Sequence, residues 1–286
     1  FFNYKAITCA LNPVVSREGE LKITPAPVKK KVAVVGGGTA GMEAARVLKL
    51  RGHDVTIYEE KPENGGLLHE AAAPEFKADI RPFMKYQMTA LEKLGVPVLR
   101  EKADVAKLAA YDVVICATGS LPIIPNIPGV EKPIAVDCLS AINGAKPVGK
   151  KIVVIGGGLV GTETALDLAE NGHSVTLVEM LPKIMKDVAV TDFLAYSERI
   201  AKTDMRILTE TRLEEVLDNG ARVSSKKGEE TIEADTVILA LGLKAEQGLY
   251  NELIAAGKEA YLVGDAVKAG KIFDAIHTAY RAAIRI

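Results

Sequence analysis

The chain has 286 residues and is 48% hydrophobic, enough for two domains that each bury a core. Lysine and arginine number 36 against 37 acidic residues, a net charge of -1, so there is no basic field for nucleic acid or for an anionic membrane surface. No apolar run approaches the roughly 18 residues that span a bilayer, and Cys9, Cys116 and Cys138 form an odd, scattered set, so the expectation is a soluble protein of the reducing cytoplasm whose partners are small molecules or protein.

Residues 1–27 are expected to form an extended arm, the first part that limited proteolysis would remove. Next, KVAVVGGGTAGMEAARVLKLRGHDVTIYEE at 31–60 returns without a gap as KIVVIGGGLVGTETALDLAENGHSVTLVEM at 151–180, a constant offset of 120. Each copy opens with a β-branched run (32–35 or 152–155) that predicts a strand buried on both faces. A glycine turn comes next, then a helix closed by Gly52 or Gly172, then a second strand (55–58 or 175–178) that ends in acid. His53 and His173 share one repeat position far from the strands' carboxyl ends, which marks them as structural.

A G-x-G-x-x-G between a strand and a helix, with an acid at the end of the next strand, is a dinucleotide-binding fingerprint. Gly36 and Gly156 permit the tight turn, Gly38 and Gly158 let backbone approach a pyrophosphate, and Gly41 and Gly161 let helix pack on strand. The phosphates would meet the positive helix end, at Thr39 and Ala40 in one copy and Leu159 and Val160 in the other. Glu59, with Glu60 beside it, and Glu179 stand where ribose hydroxyls would donate. A glycine-rich turn in an ordinary doubly wound sheet is the alternative, and two complete copies weigh against it.

The two copies run on into different segments. After the first come Gly65, Gly66 and Leu67 and, later, Ala117, Thr118 and Gly119 in YDVVICATGS. These resemble the FAD domain of the two-dinucleotide-binding flavoproteins, where such residues surround the adenosine and pyrophosphate. Gly264 and Asp265 match that family's distant Gly-Asp, whose aspartate bonds the ribityl or pyrophosphate portion. A helix starting near Phe273 would then turn the backbone of Ala275 and Ile276 toward the flavin pyrimidine edge. The second copy runs to Ala240, Leu241 and Gly242, which resemble the end of the family's NAD domain.

The resemblance implies an α/β fold of two nested Rossmann-like domains, parallel sheets with helices on both faces. Residues 28–128 and 243–286 would bind FAD, and 133–242 would bind NAD(H), with Pro122, Pro125, Pro128 and Pro133 stiffening the crossover. Glu179 would repel a 2′-phosphate, favouring NADH over NADPH, with Lys183 as the residue that argues the other way. Glu163 corresponds to a glutamate near the nicotinamide amide in related reductases; the other reading is a helix residue on the solvent face.

A narrower resemblance comes from ITCALNPVVSREGELKITPAPVKKKVAVVGGGTAGMEAA, which is similar to the junction in iron-sulfur flavoenzymes of the 2,4-dienoyl-CoA reductase, 2-enoate reductase and trimethylamine dehydrogenase group. It extends over essentially the whole chain. In those enzymes a TIM barrel carries FMN and four cysteines hold a 4Fe-4S cluster, the last in a C-x-x-N-P context matched by Cys9, Asn12 and Pro13. The resemblance implies the C-terminal part of a longer enzyme whose missing partner is that FMN/4Fe-4S barrel. Cys9 would be a lone remnant ligand, so no metal is expected here. Thr39 stands where a proline is common and Leu67 where a glutamine is frequent.

The implied activity is that of an NADH:flavin oxidoreductase, an enzyme passing hydride from NADH to FAD with no catalytic side chain, because the cofactors carry the chemistry. One alternative is a non-catalytic domain holding ADP or AMP, as in the trimethylamine dehydrogenase branch. Another is a thioredoxin-reductase-like enzyme, which needs a cysteine pair that no C-x-x-C supplies here. Cys116 and Cys138 read as packing residues, and His277 as either a flavin neighbour or an ordinary helix histidine.

Overall fold

The β-branched runs form the central strands of two parallel sheets in the computed structural model, which describes residues 6–286. The chain opens with β1 (Lys31–Val35), α1 (Thr39–Leu50), β2 (Asp54–Tyr58), α2 (Leu68–Ala71), α3 (Ile80–Lys93), β3 (Val98–Leu99), α4 (Val105–Leu108), β4 (Val113–Cys116) and β5 (Ser120–Pro122). It continues through β6 (Ala135–Asp137), α5 (Cys138–Ile142), β7 (Lys151–Ile155), α6 (Leu159–Glu170), β8 (Ser174–Val178), α7 (Val190–Ile200) and β9 (Arg206–Leu208). Then come β10 (Thr211–Leu217), β11 (Gly220–Ser225), β12 (Gly228–Glu233), β13 (Thr236–Leu239), β14 (Leu243–Ala245), α8 (Gly248–Ala255), β15 (Ala260–Leu262) and α9 (Ile272–Ala283).

The first sheet has the order β15-β4-β1-β2-β3 and the second β6-β13-β7-β8-β9. Both are parallel throughout, and the repeat carries over into register: Val35 pairs with Tyr58 as Ile155 pairs with Val178. The helices between these strands end alike, in the left-handed cap that glycine favours. Gly52 has φ 96° and His53 N–H reaches back to Leu48 C=O; Gly172 has φ 83° and His173 N–H reaches Leu168 C=O.

Alternate residues of each central strand face opposite cores, as a strand covered on both sides requires. Val32 and Val34 meet α1 and α9, while Ala33 and Val35 join Leu108 of α4 and Leu253 of α8. Each such valine, fully buried, contributes about 1.5–3 kcal/mol. In the second unit Ile152 and Val154 pack with α5 and α6, but Val153 and Ile155 meet Leu213, Val216, Ala221 and Val223. That face is therefore covered by the antiparallel meander β10-β11-β12, which the residue pattern alone leaves inside an undivided α/β stretch.

The chain divides into two compact units. The first comprises the residues up to Ala72 with Asp79–Leu121 and Lys244–Ile286; the second comprises Ala73–Ala78 and Pro122–Leu243. The cut falls ahead of the expected one near 128 because Ile127 and Val130 of the proline-rich stretch pack on the core under the meander.

Residues 1–5 lie outside the described residues, and so does that part of the expected arm. The remainder is not simply extended, since turns occupy residues 13–16 and 18–20, and it is pinned to its own unit. Val14, Leu21 and Ile23 pack on the first core, Tyr280 Oη donates to Leu21 C=O at 2.5 Å, and Arg51 Nη1 donates to Thr24 C=O at 2.9 Å. These part-buried side chains and hydrogen bonds tie the middle of the arm to the first unit, where the expectation is a loose segment open to early proteolysis. No helix among the described residues is long and apolar enough to cross a membrane.

Candidate functional site

Each repeat builds a cradle at the carboxyl end of its central strand. In the first, Gly36 turns the chain at φ 105°, and a Cβ there would lie 2.2 Å from the Ala117 carbonyl oxygen. A Cβ on Gly41 would lie 1.8 Å from the Gly36 carbonyl oxygen, so α1 can sit on the turn only without a side chain at that position. The second cradle repeats this: Gly156 has φ 107° and would meet Ala240 O at 2.4 Å, and Gly161 would meet Gly156 O at 1.9 Å.

The acids close the turns from the adjoining strand. Glu59 Oε2 accepts from Gly37 N–H at 2.6 Å and Oε1 from Lys61 N–H at 2.8 Å. Glu179 does the same with Gly157 at 2.6 Å and Leu181 at 2.7 Å. A carboxylate offers about four lone-pair sites, so each acid, held by two amides, keeps about two for incoming hydroxyls. Glu60, by contrast, is exposed.

The helix N-termini above the turns are open. Gly38 and Gly158 are the N-cap residues of α1 and α6, neither helix has a side-chain cap, and neither has an acid in its first turn. The first-turn amides, which include those of Thr39, Ala40, Leu159 and Val160, therefore present uncompensated donors to an anion. A Cβ on Gly158 would meet nothing within 4 Å, and one on Gly38 only Gly66 Cα at 3.8 Å. Backbone is thus exposed to close approach at both places, and the residues fit a pyrophosphate.

Gly65 and Gly66 lie beside the first turn: Gly65 N–H donates to Gly37 C=O at 2.9 Å, and Gly66, at φ 55°, approaches Gly38 with Leu67 half-buried behind it. The counterpart in the second unit is Met185, 120 residues on, whose N–H donates to Gly157 C=O at 2.7 Å. Met185 is buried and takes φ 51° without being glycine, a match the residue types gave no sign of.

The chain's end completes the first cradle. Gly264, at φ 63°, leaves no room for a side chain because a Cβ would lie 2.6 Å from that of Ala40. Asp265 accepts from Ser120 Oγ at 3.0 Å and from Gly270 N–H at 3.1 Å. Burial pushes its carboxyl above the ordinary value, against the pull of those two donors. Thr118 Oγ1 donates to Glu246 C=O at 2.6 Å, and Gly119, at φ 78°, accepts from Glu246 N–H. Gly242, at φ 93°, is exposed at the end of the second unit.

Two expectations change. α9 starts at Ile272, and Ala275 N–H already donates to Lys271 C=O at 3.1 Å, so the amides free at this helix start precede Ala275 and Ile276. Glu163 is not on a solvent face: it is 6% exposed, with Lys77 Nζ at 2.7 Å from Oε2 and the Tyr196 hydroxyl donating to Oε1. Burial, then that bond to Glu163, raises the Tyr196 phenol. Ser120, Lys77 and Tyr196 carry no motif, so nothing in the sequence singles them out.

His53, His173, His277, Cys116 and Cys138 each have a partner in their packed surroundings. Lys30 N–H donates to His53 Nδ1 at 3.2 Å, and His173 Nδ1 bonds Gly149 C=O at 2.8 Å, tying each helix end to the approach of its central strand. His277 is buried, stacks on Phe273 at 3.8 Å and donates from Nε2 to Cys9 C=O at 2.9 Å. Burial pushes the Cys116 thiol up to about 12, and Cys138 bonds Thr164.

Residues 30–269 match the family described as pyridine nucleotide-disulphide oxidoreductase. An NADH oxidase of Thermoanaerobacter brockii is 39% identical over 295 residues, covering 100% of this chain and 45% of the relative. A cinnamate reductase of Clostridium sporogenes is 37% identical over 293 residues, covering 99% and 43%. The structure of a 2-naphthoyl-CoA reductase superposes with a TM-score of 0.93 at 34% identity, over 97% of this chain and 43% of the other. The chain spans less than half the length of these relatives. A profile match over most of its length, on two cradles of the kind described, places the chain in the pyridine nucleotide-disulphide oxidoreductase family.

Proposed function

We propose that the chain is the NADH:FAD oxidoreductase module of a longer reductase, holding FAD in the first unit and NAD(H) in the second. The observation that carries this reading is the duplicated cradle: two uncapped helix starts, each behind a glycine turn whose acid keeps lone pairs for ribose hydroxyls. Bound FAD would supply the hydride acceptor and NADH the hydride, and the chain's own work is binding and orientation.

The assignment of ligands rests on the surroundings. Gly66, Gly264 and Asp265 crowd backbone and a partly buried carboxyl around the first turn, as a long flavin nucleotide with a polyol chain would use. At the second turn Glu179 faces the position that a 2′-phosphate would need, which favours NADH. The relatives' names include reduction of cinnamate and of 2-naphthoyl-CoA. In the longer protein, electrons would pass on through an iron-sulfur and FMN barrel portion to an unsaturated organic acceptor.

The test is to load the chain with FAD, record its visible spectrum and add NADH without oxygen. Bleaching by NADH, and at least about tenfold more slowly by NADPH, is expected, with Glu179→Ala narrowing that preference. A chain that refuses FAD and releases only ADP or AMP, identified by mass, would establish the non-catalytic nucleotide domain instead.

A further inference from the structure

We propose that α9 couples the first cradle to the arm, so that a flavin nucleotide in the cradle tightens the arm's hold around Cys9. The inference rests on the reading of the first unit as the FAD domain and adds a conformational link to it.

α9 is held on two sides. Toward the cradle, Thr278 Oγ1 accepts from Gly264 N–H at 2.8 Å, and a Cβ on Gly264 would press on Ala40 at the start of α1. The segment that enters α9, residues 267–271, is exposed apart from half-buried Ala269, and Gly270 N–H donates to Asp265 at 3.1 Å. Toward the arm, His277 Nε2 donates to Cys9 C=O at 2.9 Å and Tyr280 Oη to Leu21 C=O at 2.5 Å. His277 and Tyr280 stand three residues apart on one face of the helix, so a change at the start of α9 reaches both ties together.

The choice of histidine follows from the arm. A carbonyl only accepts, so Nε2 carries the hydrogen, and Nδ1 is buried without a partner. An apolar side chain would stack on Phe273 without leaving a buried nitrogen unpaired, at lower cost. The bond to Cys9 is what accounts for His277.

The two stretches of the arm lean on α9 to different degrees. Leu21 and Ile23 pack on the first core and Arg51 holds Thr24 C=O, whereas Ile7 and Leu11 are exposed, at 57% and 45%. Few buried apolar contacts make for low local stability, so the stretch around Cys9 depends most on His277. A ligand that bonds Gly264 and Asp265 orders the segment entering α9, and the arm then closes on a helix start that is already ordered. Linkage makes the effect reciprocal: the tie through His277 raises flavin affinity by the same factor.

Cys9 reports on the arm directly, because it is half-buried while Cys116 and Cys138 are buried. The test measures alkylation of Cys9 by N-ethylmaleimide, located by mass spectrometry, with and without FAD whose uptake is followed in the visible spectrum. FAD is expected to slow alkylation about fivefold. His277→Phe, which keeps the stack on Phe273, is expected to remove that protection and to weaken FAD binding by about the same factor, with His277→Gln, which keeps an N–H donor, restoring part of both. Should His277→Phe not fold, Tyr280→Phe gives the same readout from the second tie.

Unchanged alkylation with FAD visibly bound overturns the proposal. Protection that persists in His277→Phe and Tyr280→Phe comes from the nucleotide shielding the thiol itself and overturns it equally, as do variants that free the arm yet leave FAD affinity as it was. A chain that takes up no FAD overturns the reading of the first unit, and the coupling with it.

Discussion

Glu43 and Glu163 stand 120 residues apart at one repeat position and are buried to 5% and 6% exposure, yet their charges are balanced by different means. The first is closed by Arg46 on its own helix; the second depends on Lys77 and Tyr196. A similar contrast runs through the two cradles. The glycine turns, the acids that bond them and the helix ends superimpose in chemistry, because turn sterics and phosphate approach admit few solutions. The partners arriving from outside the repeat differ: Gly65 in one unit and Met185 in the other, with Asn64 and Ile184 over the middle glycines.

The outer strands show the same divergence. β15 reaches the first sheet after the whole second unit has been made, whereas β6 precedes the second sheet's central strand. Each leads to an aspartate with its own task. Asp137 caps α5 through Ser140 N–H at 3.0 Å, while Asp265 accepts from Ser120 and Gly270. The duplication thus preserves the glycine turn, its acid and the open helix start, while the residues around each turn are recruited separately.

The most disruptive way to probe the equivalence is Gly41→Ala beside Gly161→Ala. Both Cβ atoms would fall very close to a turn carbonyl, at 1.8 and 1.9 Å, so each variant should lose about 3 kcal/mol in urea unfolding. A clear difference between the two losses would break the correspondence of the turns.

A smaller effect is expected at the neighbouring glycine. Gly158→Ala meets no atom within 4 Å, so the melting temperature should stay within about 2 °C while NAD+ affinity falls about tenfold. Gly38→Ala should do the same to FAD in the first unit, since its Cβ meets only Gly66 Cα at ordinary contact. Unchanged affinity in both would show that no ligand approaches these backbones.

The smallest effect concerns Asp265. Its folded-state pKa is raised, chiefly by burial, above the unfolded value. Between the two values the native chain binds more protons than the unfolded chain, so stability declines as pH rises through that window. Asp265→Asn should flatten this slope in denaturant melts taken across the acid range, and an unaltered slope would remove Asp265 as its source.

Much of this molecule is written locally. The strand–turn–helix–strand units, the helix-closing glycines and the acids at 59 and 179 are legible because a positive φ or a backbone contact excludes side chains, and so leaves a mark in residue type. The hairpin turns of the meander, Asp218-Asn219 and Lys226-Lys227, are each followed by a glycine that opens the next strand, although the residue pattern there reads only as part of the α/β fold. Met185 escapes because a buried methionine at φ 51° looks like any apolar residue.

The sequence by itself determined the duplicated fold and its glycine turns, since those depend on backbone sterics within a few residues. Only the tertiary structure decided which polar groups meet: Lys77 and Glu163 are 86 positions apart, Ser120 and Asp265 145. A pairing of that kind depends on where packed elements bring two side chains, and neither residue carries a constraint of its own that would announce the other.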